Sequence, residues 1–290
     1  MTSKNYQQNT LKREITFEGI GLFTGLKTTI RLVPQPPNTG IVFQRVDLLE
    51  KPVIEALVDN VKKVPGYTLL EKEGARVQTV EHLLSALSAF TVDNLLIEIT
   101  SPEVPILDGS AKIFAEKIQE VGILEQDETK PYFQVKEPLY YSNNEIHIVA
   151  IPSDVFFVSY TMHYPQSKQL FSQFFTSPVN SKQFTLEIAP ARTFSLYEEI
   201  APLVENGMIR GGGLHNALIF KDEKVLNPEG MLFEDEPVRH KVLDMIGDLS
   251  LIGNRLLAHV IAIRSGHMAN ASFAEVVKKF MMEYESVPSV

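Results

Sequence analysis

Cysteine is absent from the 290-residue sequence. This absence excludes disulfide bonds, thiolate metal sites and cysteine nucleophiles. Any metal ion must therefore be held by histidine, aspartate or glutamate. Long apolar segments are missing as well: no run of about 18 apolar residues is free of charge, so no membrane span is expected. The first ten residues are polar and lack the apolar core of a secretory signal, so we expect a cytoplasmic protein.

Clusters of basic residues are also lacking. The net charge is −9, and no block of five or more basic residues occurs. Binding of nucleic acid through a broad basic face is therefore not expected. A small anionic substrate remains compatible with this charge, because a few arginine or lysine side chains suffice to bind a phosphate.

The apolar pattern predicts a mixture of strands and helices. Leu95, Ile97 and Ile99 alternate as on one face of a strand, and residues 80–90 and 111–122 carry helical apolar stripes. The second half returns to the same theme, with strands predicted at 146–151, 155–162 and 257–264 and helices at 237–252 and 271–283. Without a regular βαβ alternation, this order favours an α+β fold over a doubly wound parallel sheet. No internal repeat is recognisable.

One segment differs in composition from its surroundings. Residues 125–131 (EQDETKP) are charged, poor in apolar side chains and closed by proline. Such composition is typical of connections rather than of a core. We therefore predict that this segment is the linker between two domains.

The clearest chemical motif is RHKVLDMIGDL, residues 239–249, within a predicted helix. His240 and Asp244 are four residues apart and thus lie one turn apart on one face, with Asp248 one turn further. A histidine and a carboxylate at this spacing can bind one metal ion. By itself, however, the spacing fits a surface ion pair or an ordinary helix histidine better.

A second pair of candidates is Glu81 and His82, early in the first predicted helix. Adjacent helix positions point about 100° apart. One side chain can therefore ligate a metal while the other acts as general base on a water activated by that metal. The order Glu-His does not match the zinc-protease pattern His-Glu-x-x-His. Taken alone, the pair is better explained as two ordinary helix residues.

Two weaker motifs complete a possible set. His267 in RSGHMAN follows a predicted strand, where a side chain is readily exposed over a site, although an exposed turn histidine fits equally well. The hydroxyl of Thr193 in ARTF could donate to an oxyanion, but threonine is common. Considered together, His82, His240 and Asp244 leave an open fourth ligand position. With Glu81 as base and His267 as acid, they form a set suited to metal-assisted amide hydrolysis.

At these motifs the sequence resembles the UDP-3-O-acyl-N-acetylglucosamine deacetylases, the zinc amidases of lipid A biosynthesis. The resemblance extends over nearly the whole chain, in matching order. It rests on TLKREITFEGIGLFTG, NTGIVFQRVDL, TVEHLLSAL, EVPILDGSA, ARTF, VLNPEGMLFEDEPVRHKVLDMIGDL and SGHMAN. It implies two similar-sized domains, residues 1–126 and 131–290, each with helices packed on a sheet. The active site would lie between them, in a monomer.

The resemblance also implies a role for each candidate in removing the acetyl group of a UDP-linked, acylated N-acetylglucosamine. The zinc ligands would be His82, His240 and Asp244. Around them the family's catalytic roles fall on Glu81 as general base, His267 as the acid that protonates the amine, Asp248 as its orienting carboxylate, Thr193 at the oxyanion and Lys241 near polar groups of the substrate.

For the fatty acyl chain of the substrate, the resemblance implies an apolar passage after ARTF. Its candidate residues are Phe194, Ile200, Leu203, Met208, Ile209 and Leu214. The residues by themselves favour plain packing of an amphipathic helix instead. Arg264 corresponds to a basic residue near the diphosphate. Phe23 stands where the family usually has histidine, so no phosphate contact is carried over to that position.

Two other functions remain as alternatives. Two histidines and a carboxylate also describe non-haem iron enzymes, although their usual His-x-Asp/Glu spacing is absent and Glu81 and His267 would have no role. Fe²⁺ in place of Zn²⁺ in an unchanged hydrolase fits better. The other alternative is a non-catalytic module that binds a UDP-sugar, against which the presence of both Glu81 and His267 argues.

Overall fold

The computed structural model describes residues 5–222 and 224–285. Elements are numbered in chain order. The strands of the first half are β1 (Asn5–Leu11), β2 (Ile15–Ile20), β3 (Lys27–Pro34), β4 (Ile41–Arg45), β5 (Val53–Glu55), β6 (Val61–Lys62), β7 (Leu69–Lys72), β8 (Ala75–Gln78), β9 (Leu95–Ile99) and β10 (Ile123–Pro131). The helices of this half are α1 (Glu81–Ala89) and α2 (Lys112–Val121), with a 3₁₀ turn at Val58–Asn60.

The strands of the second half are β11 (Phe133–Gln134), β12 (Leu139–Asn143), β13 (Ile146–Pro152), β14 (Phe157–His163), β15 (Ser172–Pro178), β16 (Phe194–Leu196), β17 (Leu218–Lys221), β18 (Lys224–Val225) and β19 (Leu256–Ile263). Its helices are α3 (Ser181–Gln183), which continues into a π-helical turn at Phe184–Ile188, then α4 (Tyr197–Glu205), α5 (Glu236–Ser250) and α6 (His267–Glu285). None of the helices in the described part of the chain has the length and apolar content needed to cross a membrane.

The two halves contain sheets with the same strand order. One sheet runs β2-β3-β9-β4-β5 and the other β12-β13-β19-β14-β15. In both, the central strand is antiparallel to one neighbour and parallel to the other. One helix precedes that strand (α1 or α5) and another follows it (α2 or α6). The structure thus contains a topological repeat that the sequence does not reveal.

This architecture confirms the predicted α+β class, because most of the strand pairs are antiparallel and the helices do not alternate regularly with the strands. The alternating pattern is confirmed too: Leu95, Ile97 and Ile99 of β9 are fully buried. Helix α6 begins at His267 rather than near residue 271, since the apolar periodicity used to predict it starts only after the first turn. The boundaries at 126 and 131 stay a prediction.

The predicted linker segment has regular structure. It forms β10, which pairs antiparallel with β1 over its length, Asn5 facing Pro131 and Leu11 facing Ile123. The composition did not predict this strand, because backbone hydrogen bonds do not depend on side-chain polarity. The role of the segment as the linker between two domains stays a prediction. The charged side chains of β10 point mainly to solvent, as a two-stranded ribbon allows.

Helices α1 and α5 approach each other closely at Gly247. A Cβ atom on Gly247 would lie 2.2 Å from the carbonyl oxygen of Glu81. That distance is far inside van der Waals contact, and a backbone oxygen cannot rotate away. The missing side chain therefore lets the first turn of α1 lie against α5, and the side chains of both helices meet there.

We expect Gly247→Ala to lower the free energy of unfolding by about 1–3 kcal/mol through overpacking. The better helix propensity of alanine would offset up to about 1 kcal/mol of this cost. Denaturant unfolding of the purified variant measures the difference. Gly266→Ala is the control, because a Cβ at Gly266 meets no described atom within 4 Å. Equal stability of Gly247→Ala and the wild type would contradict the close approach.

Candidate active site

The predicted metal ligands come together where α1 meets α5. His82 lies in the first turn of α1, and His240 and Asp244 lie one turn apart on α5. The Nε2 atoms of His240 and His82 are 3.3 and 3.9 Å from Oδ1 of Asp244. All three side chains are buried, and one potential ligand atom from each lies within 4.8 Å of the others. Such a group could hold a metal ion.

The protonation states of this group suit a divalent cation. Burial lowers the pKa of His82 to about 3 and also lowers that of His240, so both imidazoles are neutral at physiological pH. Burial opposes the charge of Asp244, but the positive charges around it, Lys241 first, hold its pKa well below its usual range. Neutral imidazoles and an ionised carboxylate are the forms that ligate metals.

One unpaired atom supports the same conclusion. Oδ1 of Asp244 is buried and has no hydrogen-bond partner among the described residues, although both imidazole Nε2 atoms lie near it. A buried carboxylate oxygen without a donor is costly. A cation bound between it and the two histidines would satisfy it. The residues present therefore fit a metal ion.

Neighbouring groups orient these ligands. Nδ1 of His240 lies 2.9 Å from the carbonyl oxygen of Ala191, which fixes Nδ1 as the protonated nitrogen and leaves the Nε2 lone pair free. Nζ of Lys241 donates to Oδ2 of Asp244 at 2.8 Å. Lys241, which is not one of the three potential ligands, thus holds the second carboxylate oxygen of Asp244 in place.

Two groups that can exchange protons flank the metal-binding group. Nε2 of His267 lies 3.9 Å from Oε1 of Glu81 and 3.9 Å from Oδ2 of Asp244. On the other side of the ring, Nδ1 of His267 lies 2.9 Å from Oδ2 of Asp248. The structure thus brings Glu81, His267 and Asp248 together beside the metal-binding group, as the sequence predicts.

Burial and neighbouring charges shift the pKa of both groups toward neutral and alkaline values. Burial raises the pKa of Glu81 to about 8. For His267, burial opposes the charged form, but the surrounding carboxylates, Asp248 first, outweigh it and raise the pKa to about 9. His267 therefore carries a positive charge at pH 7, which suits an acid that donates a proton.

Two polar residues in this site were not singled out from the sequence. Thr68 and Asn270 are both buried, and both donate hydrogen bonds to Asp248. Asn270 had a recognisable signal, because it lies three residues after His267 and thus one turn along the same helix. Thr68 had none: it is a single threonine preceding a short strand.

Phe194 begins β16 and lies beside the metal-binding group, and Thr193 directly precedes it. The backbone N–H of half-buried Thr193 donates to the carbonyl oxygen of Gly109 at 2.8 Å. The ring of Phe194 meets that of His240 edge-on at 6.4 Å, and Nζ of Lys241 lies 5.5 Å from the Phe194 centroid. Phe194 is therefore an apolar wall beside this group.

The other residues of the predicted acyl passage lie on and after α4. Helix α4, which is described in full, contains no buried residue. Met208 and Leu214 are 53% and 41% exposed, and Ile200 and Ile209 are half-buried. Helix α4 therefore buries no side chain fully, and its apolar residues Ile200 and Leu203 are half-buried. Both the acyl passage and plain packing of an amphipathic helix stay predictions for this segment.

Arg264 and Phe23, the two positions that the resemblance relates to phosphate binding, have their contacts with other residues than the metal-binding group. Arg264 forms an ion pair with Glu145 at 3.0 Å. The ring of Phe23 packs on that of Tyr67 with centroids 4.5 Å apart. Phe23, which replaces the histidine expected from the resemblance, is thus packed in an aromatic pair.

The protein thus belongs to the α+β proteins that carry a buried His-His-Asp group between two helices. A glutamate and a histidine paired with a carboxylate lie beside this group. A family profile described as UDP-3-O-acyl N-acetylglycosamine deacetylase (LpxC) matches residues 8–279. The chain belongs to this family of deacetylases, which are hydrolases.

Curated relatives match over nearly their full length. The UDP-3-O-acyl-N-acetylglucosamine deacetylase of Chlamydia pneumoniae is 44% identical over 271 residues, covering 93% of this chain and 96% of the relative. The enzyme of the same name from Chlamydia caviae is 42% identical over 270 residues, with the same coverage. That of Chlamydia trachomatis serovar L2 is 42% identical over 281 residues, covering 97% and 98%.

We expect the protein to bind one divalent metal ion per chain, and Asp244→Asn and His240→Gln to weaken that binding severely. Each substitution removes a ligand from the group of three. Zinc titration followed by metal analysis of the desalted protein measures the stoichiometry. His259→Gln is a matched control, since His259 contacts Ser159 on the sheet. Full retention of zinc by both ligand variants would contradict this site.

The raised pKa of His267 predicts a pH dependence of stability. A group whose pKa is higher in the folded state stabilises the fold most below its unfolded value, about 6.5. This contribution is lost as the pH rises through the folded value of about 9. The stability difference between metal-free wild type and His267→Gln should therefore be largest below pH 6.5 and fall away above pH 9.

Titration of His267 by NMR in the metal-free protein measures the same shift directly. Asp248→Asn should lower the pKa of His267, because it removes the leading carboxylate that stabilises the imidazolium. A titration midpoint at or below 6.5 in the wild type would contradict the electrostatic account of this pair.

Proposed function

We propose that this protein hydrolyses the N-acetyl group of UDP-3-O-(3-hydroxyacyl)-N-acetylglucosamine. The products are acetate and the UDP-3-O-acyl-glucosamine, in an early committed step of lipid A biosynthesis. The observation that carries this proposal is the convergence of a buried His-His-Asp group with Glu81 and His267 in a chain of this family. Relatives named for this activity match over nearly the whole chain.

We further propose Zn²⁺ as the resident metal, with Fe²⁺ as the alternative in the same site, held by His82, His240 and Asp244. Two imidazoles and one carboxylate with an open ligand position are typical of catalytic zinc. When bound, a divalent ion polarises a carbonyl group and lowers the pKa of a water ligand to about 7. The unpaired Oδ1 of Asp244 supports a cation at this place.

Glu81 serves as the general base in this proposal. Its carboxylate takes a proton from the attacking water. A divalent cation held by His82, His240 and Asp244 would favour the ionised form of this buried acid. A pKa brought near the working pH also suits proton exchange in both directions. The hydrogen bond from the backbone N–H of Thr68 to Oε2 of Glu81, at 3.1 Å, supports a fixed orientation of the carboxylate.

His267 serves as the general acid. An amine is a poor leaving group until it is protonated, and the positive charge that His267 carries at pH 7 supplies that proton from Nε2. Asp248 holds the opposite nitrogen. The hydroxyl of Thr193 donates a hydrogen bond to the acetyl carbonyl oxygen, which becomes an oxyanion when water attacks the carbonyl carbon. Lys241 keeps Asp244 in place and adds positive charge near the substrate.

The apolar residues of and after ARTF suit a fatty acyl chain, because none of them is fully buried and each leaves apolar surface that a chain of methylene groups would cover. Met208 and Leu214 are exposed, and Phe194, Ile200, Leu203 and Ile209 are half-buried. Arg264 is proposed to lie near the diphosphate of the bound substrate, where it would leave its ion pair with Glu145. A monomeric state and a cytoplasmic location stay predictions.

Release of acetate from UDP-3-O-(3-hydroxyacyl)-N-acetylglucosamine tests the function. We expect turnover that a chelator abolishes and that zinc at or below one equivalent restores. Glu81→Gln and His267→Gln should each lower kcat by about 10²–10⁴-fold, as expected for loss of a general base or acid. His259→Gln serves as control and should leave turnover near that of the wild type.

Absence of turnover by folded, zinc-loaded protein that still binds the UDP-sugar would overturn the deacetylase proposal and favour the non-catalytic binding module. Restoration by Fe²⁺ alone would overturn the choice of zinc. Consumption of oxygen during turnover would instead favour the non-haem iron alternative.

A further inference from the structure

Thr68 connects the two halves of the site. It directly precedes β7 in the first half and is only 3% exposed. Its hydroxyl donates to Oδ1 of Asp248 on α5 at 2.5 Å and lies 3.2 Å from Nδ1 of His267. Its backbone N–H donates to Oε2 of Glu81 at 3.1 Å. One residue thus touches the candidate base, the candidate acid and the carboxylate behind that acid.

The donors around Asp248 divide unequally between its two oxygens. Oδ2 accepts hydrogen bonds from Nδ1 of His267 at 2.9 Å and from Nδ2 of Asn270 at 2.8 Å. Oδ1 accepts a hydrogen bond from the hydroxyl of Thr68. Asp248 is 1% exposed, so water has little access to replace a lost donor. Without the Thr68 hydroxyl, Oδ1 would be a buried carboxylate oxygen lacking this partner, which is unfavourable, and the carboxylate could rotate.

Rotation of Asp248 would change the orientation of His267. The carboxylate accepts from Nδ1 of His267, and this bond directs Nε2 toward Glu81 and Asp244. A general acid must lie within hydrogen-bond reach of the atom it protonates. Small errors in the position of a reacting group lower the rate strongly. The hydroxyl of Thr68 therefore acts on His267 through Asp248.

We propose that Thr68 is a positioning residue for amide hydrolysis, whose hydroxyl holds Asp248 so that Nε2 of His267 faces the departing amine. This inference rests on the proposed function. Thr68 belongs to the first half of the chain, while Asp248 and His267 belong to the second. Correct packing of the two halves is thereby coupled to the orientation of the acid.

Substitution of the hydroxyl tests this role. Thr68→Val keeps the shape of the side chain and the backbone N–H to Glu81 but removes the donor to Asp248. We expect kcat to fall by about 10- to 100-fold, as is typical for partners that orient a catalytic group, with KM changed less than about threefold. Thr68→Ser, which restores the hydroxyl, should recover kcat to within about threefold of the wild type.

The matched control is Thr10→Val. Thr10 is equally buried and its hydroxyl also makes a short hydrogen bond, to the carbonyl oxygen of Asn94 at 2.6 Å, but it touches no residue of the site. It should leave kcat unchanged even if stability falls. Circular dichroism and bound zinc verify folding, and Thr68→Ala replaces the valine variant if that variant does not fold.

A double-mutant cycle with His267→Gln distinguishes positioning from a general structural effect. If the hydroxyl acts through His267, Thr68→Val should lower kcat by less than about threefold in the His267→Gln background. The same 10- to 100-fold loss in both backgrounds would overturn the proposal, as would wild-type kcat in Thr68→Val. Wild-type protein without turnover would instead overturn the proposed function itself, so the two failures are distinguishable.

Discussion

The close contact between α1 and α5 is the constraint on which the rest of the site depends. These helices hold equivalent places in the two repeated sheets, and they meet where Gly247 has no side chain. The contact brings His82 from one half against His240 and Asp244 from the other. Neither half by itself contains the complete group. The complete group therefore forms only when the two halves pack against each other.

Burial makes the charges around this contact interdependent. Glu81, Asp244 and Asp248 are carboxyl groups at most 2% exposed, and an isolated buried charge is very unfavourable. Lys241 and the imidazolium of His267 offset part of this negative charge, and a divalent cation would offset more. The same burial shifts the pKa values into the range where protons are exchanged near neutral pH. The same buried charges thus affect both the stability of the fold and the protonation states needed for catalysis.

The agreement between sequence-based predictions and the structure differed between parts of the chain, for physical reasons. Helical spacing correctly aligned His240, Asp244 and Asp248, because these relations are local. Spacing alone could not bring His82 or His267 to them; that expectation rested on their combined chemistry as a metal-hydrolase set and on the resemblance. Charge and a proline predicted a linker at 125–131 but not its strand, which depends on pairing with the remote β1; the linker itself stays a prediction. Apolar spacing after Thr193 was compatible with an amphipathic helix as well as with an acyl passage, and the half-buried side chains of α4 leave both as predictions.

Local sequence features sufficed to predict the α+β class, the alternation of β9, the helix that carries His240, Lys241, Asp244 and Asp248, and the exclusion of thiolate chemistry. Period, charge and composition are properties of neighbouring residues, so they can be read along the chain. The folded arrangement was needed to see that the two halves repeat one topology and that Thr68 and Asn270 both donate hydrogen bonds to Asp248. Strand order and contacts between residues 180 positions apart arise from packing, because the backbone pairs and the core fills without regard to separation along the chain.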